Sequence, residues 1–244
     1  MHPLRKLLEA NKGRHDRRVE FKMNAEADSA EVFIYDAIVS DAIEAEYWGG
    51  VAPEPFVKSL RAITASTIHV RLNSPGGSVF AARAIEQALR DHPARVVVHI
   101  DGYAASAASF LMMAADEIVA SPGALVMIHN GWTYAFGNAS ELRSTADLLD
   151  KVDGTLVSTY AARTKQDPKQ IADWMAAETW FTAEEAMAVG LVDSIFKDSP
   201  SAQVQWDLSA YNKAPQLPVA DPVIDPAVAA ARKRSASLAS LLTV

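Results

Sequence analysis

The sequence predicts an α/β fold built on a mainly parallel sheet, and three patterns carry that prediction. The runs "TIHVRLN" (67–73) and "ARVVVHI" (94–100) are rich in valine and isoleucine, and the amphipathic stretch "VFAARAIEQALRD" (79–91) separates them. Strand, helix, strand in that order makes parallel neighbours, and nearly continuous apolar strands are the kind buried on both faces. The third pattern is "TAEEAMAVGLVDSIF" (182–196), where Thr182 and Glu185 form a capping box, Gly190 stops the helix and a last strand runs from Leu191 to Phe196.

The remaining elements follow in chain order. "VFIYDAIV" (32–39) is rich in β-branched and aromatic residues and predicts a strand, and "EPFVKSLRAITA" (54–65) has helical spacing through Phe56, Leu60 and Ile63. A helix is expected to start near Ala104 and to run through "ASFLMMAAD", followed by short strands at "EIVAS" (117–121) and "ALVMIHN" (124–130). From Ala139 to about Arg163, Leu142, Leu149, Val152, Leu156 and Tyr160 share one side of a long amphipathic helix. "DPKQIADWMAA" adds a shorter helix with Pro168 in its first turn. Past Asp198, prolines at 200, 215, 218, 222 and 226 predict a linker, with a short helix at 227–242 after it. The chain shows no internal repeat. It divides into an N-terminal arm (1–30), one main domain (31–197) and a proline-rich tail (198–244), the tail being expected to be dispensable for folding.

Bulk composition narrows the function. The 244 residues are 50% hydrophobic with a formal net charge of −7, enough for one substantial core and a poor match to a general nucleic-acid binder. The arm is locally basic, with Arg5, Lys6, Lys12, Arg14, Arg17, Arg18 and Lys22, and predicts a solvated or mobile segment. The absence of cysteine excludes disulfides, thiolate metal sites and cysteine nucleophiles. The most apolar stretch, Ala104 to Ala115, is shorter than the ~20 residues that span a bilayer. The N-terminus lacks the apolar core of a signal peptide, so a cytoplasmic protein with no membrane partner is expected. No ligand cluster with metal spacing occurs, and no cofactor is implied.

Two segments carry chemistry. "LNSPGGSVFAA" (72–82) places Gly76 and Gly77 between a strand and a helix, where glycines can turn backbone N–H groups toward an anion; it is neither a P-loop nor a dinucleotide fingerprint. "DGYAAS" (101–106) repeats the arrangement one unit later and ends on Ser106, with small neighbours and N–H groups positioned for a developing oxyanion. A serine nucleophile needs a base. Of six histidines, His129 ends an apolar strand where it opens into a loop, a place from which an imidazole can be held rigidly and still reach a ligand. A tightly packed Ala/Ser helix and a structural histidine are the competing readings of the same residues.

Taken together, "NSPGG", "DGYAASAASFLMMAAD", "LVMIHN" and "FTAEEAMAVGLVDSI" resemble the ClpP family of serine peptidases over about residues 30 to 197; Ser106 follows Gly77 by 29 residues and His129 follows Ser106 by 23. "FIYDAI", "WGGVAPEPFVKSL", "MIHNGW" and "ETWFTAEEA" are similar to its phage-encoded branch of head maturation proteases. The resemblance implies a crotonase-like spiral of ββα units with a protruding long helix, and makes 31–197 a peptidase domain. It implies Ser106 as nucleophile, His129 as general base, Gly77 and Ala107 as oxyanion-hole donors, and Gly76, Ser78 and Val79 as partners of an extended substrate backbone. Ser109 becomes a packing residue. Where the family has the aspartate of its triad this chain has Thr179; Glu178 is adjacent but would point to the opposite face of a strand.

By that resemblance the protein is an ATP-independent serine endopeptidase. It would form stacked homo-oligomeric rings through its long helix and process capsid or scaffold proteins in the host cytoplasm or the prohead. A host-type Clp subunit serving an AAA+ unfoldase, a catalytically weak shell or scaffold component, and an acyl-CoA enzyme of the wider crotonase fold are the alternatives.

Overall fold

The computed structural model describes residues 3–12, 17–196 and 206–215. In chain order the elements are α1 (Pro3–Ala10), β1 (Arg18–Asn24), β2 (Ser29–Tyr35), α2 (Ala42–Trp48), α3 (Pro53–Arg61), β3 (Thr67–Ser74), α4 (Val79–Arg90), β4 (Arg95–Ala105) and α5 (Ala107–Leu111). After a 3₁₀ turn come β5 (Glu117–Ala120), β6 (Leu125–Ile128), α6 (Ala139–Thr164), α7 (Pro168–Ala176), β7 (Thr179–Thr182), α8 (Ala183–Ala188) and β8 (Ser194–Ile195). Strands and helices alternate, as the α/β expectation requires. The sheet runs β1-β2-β3-β4-β5-β8, parallel from β2 onward, with β1 antiparallel to β2.

β4 serves two neighbours. Val97 to Ile100 pair with β5, and Tyr103 to Ala105 pair with β6, which in turn pairs antiparallel with β7. This second pairing explains why the expected helix does not begin near Ala104: the backbone stays in the ladder through Ala105, and α5 starts at Ala107. β2 likewise ends at Tyr35 rather than continuing to 39, and Ile38 forms isolated bridges to Val51 and Gly77. The predicted long helix is α6, 26 residues with a full capping box at Asn138 and Glu141. Its buried residues, Leu156, Tyr160 and Thr164, lie toward its C-terminal end, while Leu142 and Leu148 are exposed.

The basic arm does not behave as a solvated segment. α1 buries Leu4, Leu7 and Leu8 in a second apolar cluster with Ala37, Val39, Tyr103, Trp206 and Leu208, and β1 pairs along its whole length with β2. Arg17 is itself buried: its Nε donates to Asp36 at 2.8 Å and another of its nitrogens donates to Trp48 O at 2.8 Å. Burial raises the Asp36 carboxyl pKa despite that partner. An amphipathic helix hides behind the cluster of positive charges because its three leucines are spaced one turn apart, at i, i+3 and i+4.

The tail is also part of the body in its described portion. Trp206 and Leu208 are 6% exposed and pack against α1, and Trp206 Nε1 donates to Asn73 O at 3.2 Å. The expected helix at 227–242 lies outside the described residues. Because α1 rests on these two side chains, a chain ending near Asp198 should unfold earlier than the full chain. The cost is about 3 kcal/mol for two buried apolar side chains, read as a lower midpoint in urea.

Candidate active site

The site begins with a strained residue. Ser106 directly follows β4 with φ 56° and ψ −124°, a conformation that costs a non-glycine residue about 1–3 kcal/mol and persists only when its surroundings over-determine it. They do so here. Ser106 N–H donates to Met127 O at 2.9 Å, and Ser106 C=O accepts from Ser109 N–H at 3.0 Å and Phe110 N–H at 3.3 Å. The bend lifts the Ser106 hydroxyl out of the sheet, and it lies 2.7 Å from His129 Nε2. His129 directly follows β6, the strand that pairs with the last residues of β4, so one ladder sets the positions of both side chains.

The glycines of "SPGG" form the opposite wall. Gly76 has φ 89°, and a Cβ there would stand 2.4 Å from Ala105 O, 2.8 Å from Ser106 Cβ and 2.9 Å from Ala107 N. Any side chain would thus collide with the serine and cover the Ala107 N–H. Gly77 has φ 144°, and its Cβ would meet Ile38 O at 2.0 Å. Gly77 and Ala107 line the same cleft as Ser106 and His129.

The expected substrate-pairing edge differs in part. Ile38 N–H already donates to Gly76 O, and Ser78 N–H to Ile38 O, both at 2.8 Å. Those two groups are therefore occupied from within the chain, and alternation along the backbone leaves Gly77's own polar groups to face the cleft. Ser78 caps α4 through its side chain, and Val79 lines the cleft wall. The cleft holds about 290 Å³ and is bounded by Val79, Phe110, Trp132, Leu149, Val152 and Tyr160, so it accepts an apolar group beside Ser106.

Thr179 does not take the place of a triad carboxylate. It pairs with Ile128 in the β6–β7 ladder, but its hydroxyl donates to Trp174 O at 2.7 Å, and no bond joins it to His129 among the described residues. Glu178 is not in the strand, so the face argument from alternation does not apply to it. With φ 49° it turns its carboxylate toward Trp180 Nε1 and the backbone N–H groups of Asn212 and Lys213. Its charge still reaches the imidazole: burial pushes the His129 pKa down to about 4, and Glu178 opposes that shift. A neutral imidazole whose Nε2 can accept the serine proton is the form general-base catalysis needs.

Ser109 proves more than a packing residue. Its hydroxyl is fully buried, 2.7 Å from both Ser106 O and Met127 O and 2.8 Å from the Tyr160 hydroxyl. With one proton to give, it donates to one carbonyl and accepts from Tyr160, tying the Ser106 bend to β6 and α6. Sequence reasoning also missed Tyr211, whose ring meets His129 edge-on with centroids 5.5 Å apart and whose hydroxyl donates to Pro75 O. The available signal was a pair of aromatics, Trp206 and Tyr211, in an otherwise proline- and alanine-rich tail.

No group of three or more His, Asp or Glu side chains that could hold a metal occurs among the described residues, and none of their helices is long and apolar enough to cross a membrane.

Comparison with known proteins places this geometry in context. The family model described as Clp protease matches residues 57–199. Over 130 residues the chain is 36% identical to the ATP-dependent Clp protease proteolytic subunit 3 of Streptomyces coelicolor, covering 52% of this chain and 60% of that protein. It is 33% identical over 130 residues to the corresponding subunit of Deinococcus radiodurans, covering 52% and 64%, and 30% identical over 134 residues to that of Chlorella vulgaris, covering 54% and 67%. The alignment thus spans about three fifths to two thirds of these relatives. All three are named as proteolytic subunits of ATP-dependent Clp proteases, so these matches support the family and not the phage-encoded branch that the sequence details suggested.

Two outcomes are expected. Ser109→Ala should destabilise the protein by about 2 kcal/mol, because the buried Tyr160 hydroxyl loses its partner, as measured by chemical denaturation. The second concerns pH: the neutral imidazole is the reactive form, so kcat/KM should fall as pH drops through about 4 rather than 6.5. Glu178→Gln removes the charge that favours the imidazolium and should move that limb lower still, whereas an unmoved limb would show that Glu178 does not act on His129.

Proposed function

The chain belongs to the Clp protease family, and from that premise we propose that it is a serine endopeptidase with Ser106 as nucleophile and His129 as general base. The observation that carries this reading is the 2.7 Å contact between Ser106 Oγ and His129 Nε2 at a backbone bend held by hydrogen bonds from two elements. Ser106 passes its proton to Nε2 and attacks the peptide carbonyl. The N–H groups of Gly77 and Ala107 receive the oxyanion. As the C–N bond breaks, His129 returns the proton to the leaving amine, and water then releases the acyl group by the same steps in reverse. An apolar side chain before the scissile bond fits the cleft above α4. Among the described residues no carboxylate is hydrogen-bonded to the imidazole, and a reaction without one is slow, since losing that group from a complete triad costs up to about 10⁴ in rate.

The matched relatives are named as proteolytic subunits of ATP-dependent Clp proteases. That similarity supports a subunit fed by an ATP-driven unfoldase in a cytoplasm over one that trims capsid or scaffold proteins. A homo-oligomeric ring is the matching assembly, with the exposed Leu142 and Leu148 of α6 as its apolar contact. Stimulated degradation of a folded protein on adding an AAA+ partner would separate the two roles.

The enzyme assignment is tested by labelling with a fluorophosphonate probe and mapping the modified peptide. Stoichiometric labelling of Ser106, abolished in Ser106→Ala with little change in stability, is expected. A folded protein that is not labelled, or is labelled elsewhere, overturns it.

A further inference from the structure

The space around Ser106 is unequal on its two sides. Toward Val79, Phe110 and Leu149 it opens into the cleft of about 290 Å³, which His129 and Asn130 line as well. Toward Leu4, Leu7, Ala210 and Tyr211 it shrinks to about 10 Å³, roughly the room of one water molecule. The chemistry sets where the leaving group must lie. The leaving amine takes its proton from the imidazole, so the residues beyond the scissile bond lie on the His129 side of the serine. Tyr211 stands on that side, its ring edge-on to His129, its hydroxyl bonded to Pro75 O and beside the Ser106 hydroxyl.

Tyr211 is held there from both directions. Ahead of it, Trp206 Nε1 donates to Asn73 O, and Asp207 exchanges two hydrogen bonds with the buried Asn11 side chain, at 2.8 and 3.0 Å. Lys6 Nζ donates to Ser209 O at 2.6 Å. Behind it, the N–H groups of Asn212 and Lys213 donate to the Glu178 carboxylate at 3.1 and 2.6 Å, and Lys213 Nζ donates to Ala177 O. Residues 206–215 thus cross the active site as a strap anchored on α1, on β3 and on the residues just before β7. The same N–H donors occupy the carboxylate of Glu178, whose charge reaches His129.

Resting on the serine-peptidase reading, we propose that Tyr211, carried by this strap, sets leaving-group specificity: with the strap in place the site releases a short leaving group and excludes a polypeptide that continues past the scissile bond. Cleavage within a long chain then requires the strap to lift. The cleft of about 290 Å³ stays open beside the strap and receives the acyl side of the substrate.

The test compares two substrates with the same apolar residue before the scissile bond, on the full-length protein. One ends in an aminomethylcoumarin amide, and the other is an internally quenched peptide that continues well beyond the bond. Tyr211→Ala removes the blocking ring, and Trp206→Phe keeps an aromatic ring but removes the indole donor that anchors the strap and part of its buried surface. For Tyr211→Ala the kcat/KM ratio of long peptide to coumarin amide should rise about tenfold, the scale of one or two lost hydrogen bonds. Trp206→Phe should shift the ratio in the same direction by less. A partly folded preparation lowers both rates and leaves the ratio unchanged, so the ratio reports the strap alone. Equal changes in both substrates, or a fallen ratio, overturn the proposal and make Tyr211 a support for His129. Failure of the underlying reading looks different: the wild-type protein then hydrolyses neither substrate and takes no fluorophosphonate at Ser106.

Discussion

The double pairing of β4 is the constraint on which the site depends. Its first half lies in the parallel ladder with β5, and its last three residues leave that ladder to pair with β6. Asp101 and Gly102, where it changes partner, are fixed by neighbours: Asp101 is bonded to Arg71 and Tyr35, and a side chain at 102 would meet Asn73 Oδ1 at 2.8 Å. Two consequences follow from this geometry. β4 ends abruptly at Ala105, and the backbone of Ser106 must turn through a positive φ to enter α5. And β6 delivers His129 at the level of that turn, because a strand paired to Tyr103–Ala105 necessarily ends near it. Ser106 and His129 are close because a ladder spacing makes them so, before any side-chain interaction is counted.

Polar groups then lock the arrangement from below. Ser74 Oγ donates to Asp36 O at 2.6 Å, and Asp36 is itself pinned by Arg17, so the turn that leads into Gly76 and Gly77 is tied to the start of the chain. Ser109 binds the far side of the Ser106 bend to β6 and α6. Every described side-chain nitrogen or oxygen that is fully buried has a partner, so this polar density carries no unpaired-group penalty. Such networks hold a strained residue in one geometry, which a nucleophile poised against a fixed oxyanion site requires.

Helix α1 and the segment 206–215 reach the same place by a different route. α1 and residues 206–215 pack on each other and on the edge of the site, joined by the reciprocal bonds of Asn11 and Asp207. They are distant in sequence and share no motif. Their apolar contact is small, and much of the strap's hold comes from hydrogen bonds to exposed or half-exposed groups, which are the contacts most easily exchanged for water. The core around β3, β4 and α4 is different in kind, closed by side chains with almost no exposure, such as Val70, Leu72, Ile85 and Val98.

By itself the sequence determined whatever is written in local patterns. Valine-rich runs alternating with amphipathic ones specify parallel strands and covering helices, Thr182 with Glu185 specifies a cap, and glycines 76 and 77 specify a turn that only residues without Cβ can make. Ser106 and His129 were legible for the same reason, each lying at the end of a recognisable strand beside small or loop-forming neighbours. What the tertiary structure decided concerns contacts between segments far apart in the chain. It moved the start of α5 to Ala107, because pairing with β6 outweighs the helix propensity of an alanine run. It gave the Thr179 hydroxyl to Trp174 O and turned Glu178 out of the strand, neither of which alternation along a strand could foresee. It folded a segment of seemingly solvated charge onto the core and laid Tyr211 against His129. Local pattern fixes the period and the turn, whereas burial and hydrogen-bond exchange between remote segments depend on the whole packed surface.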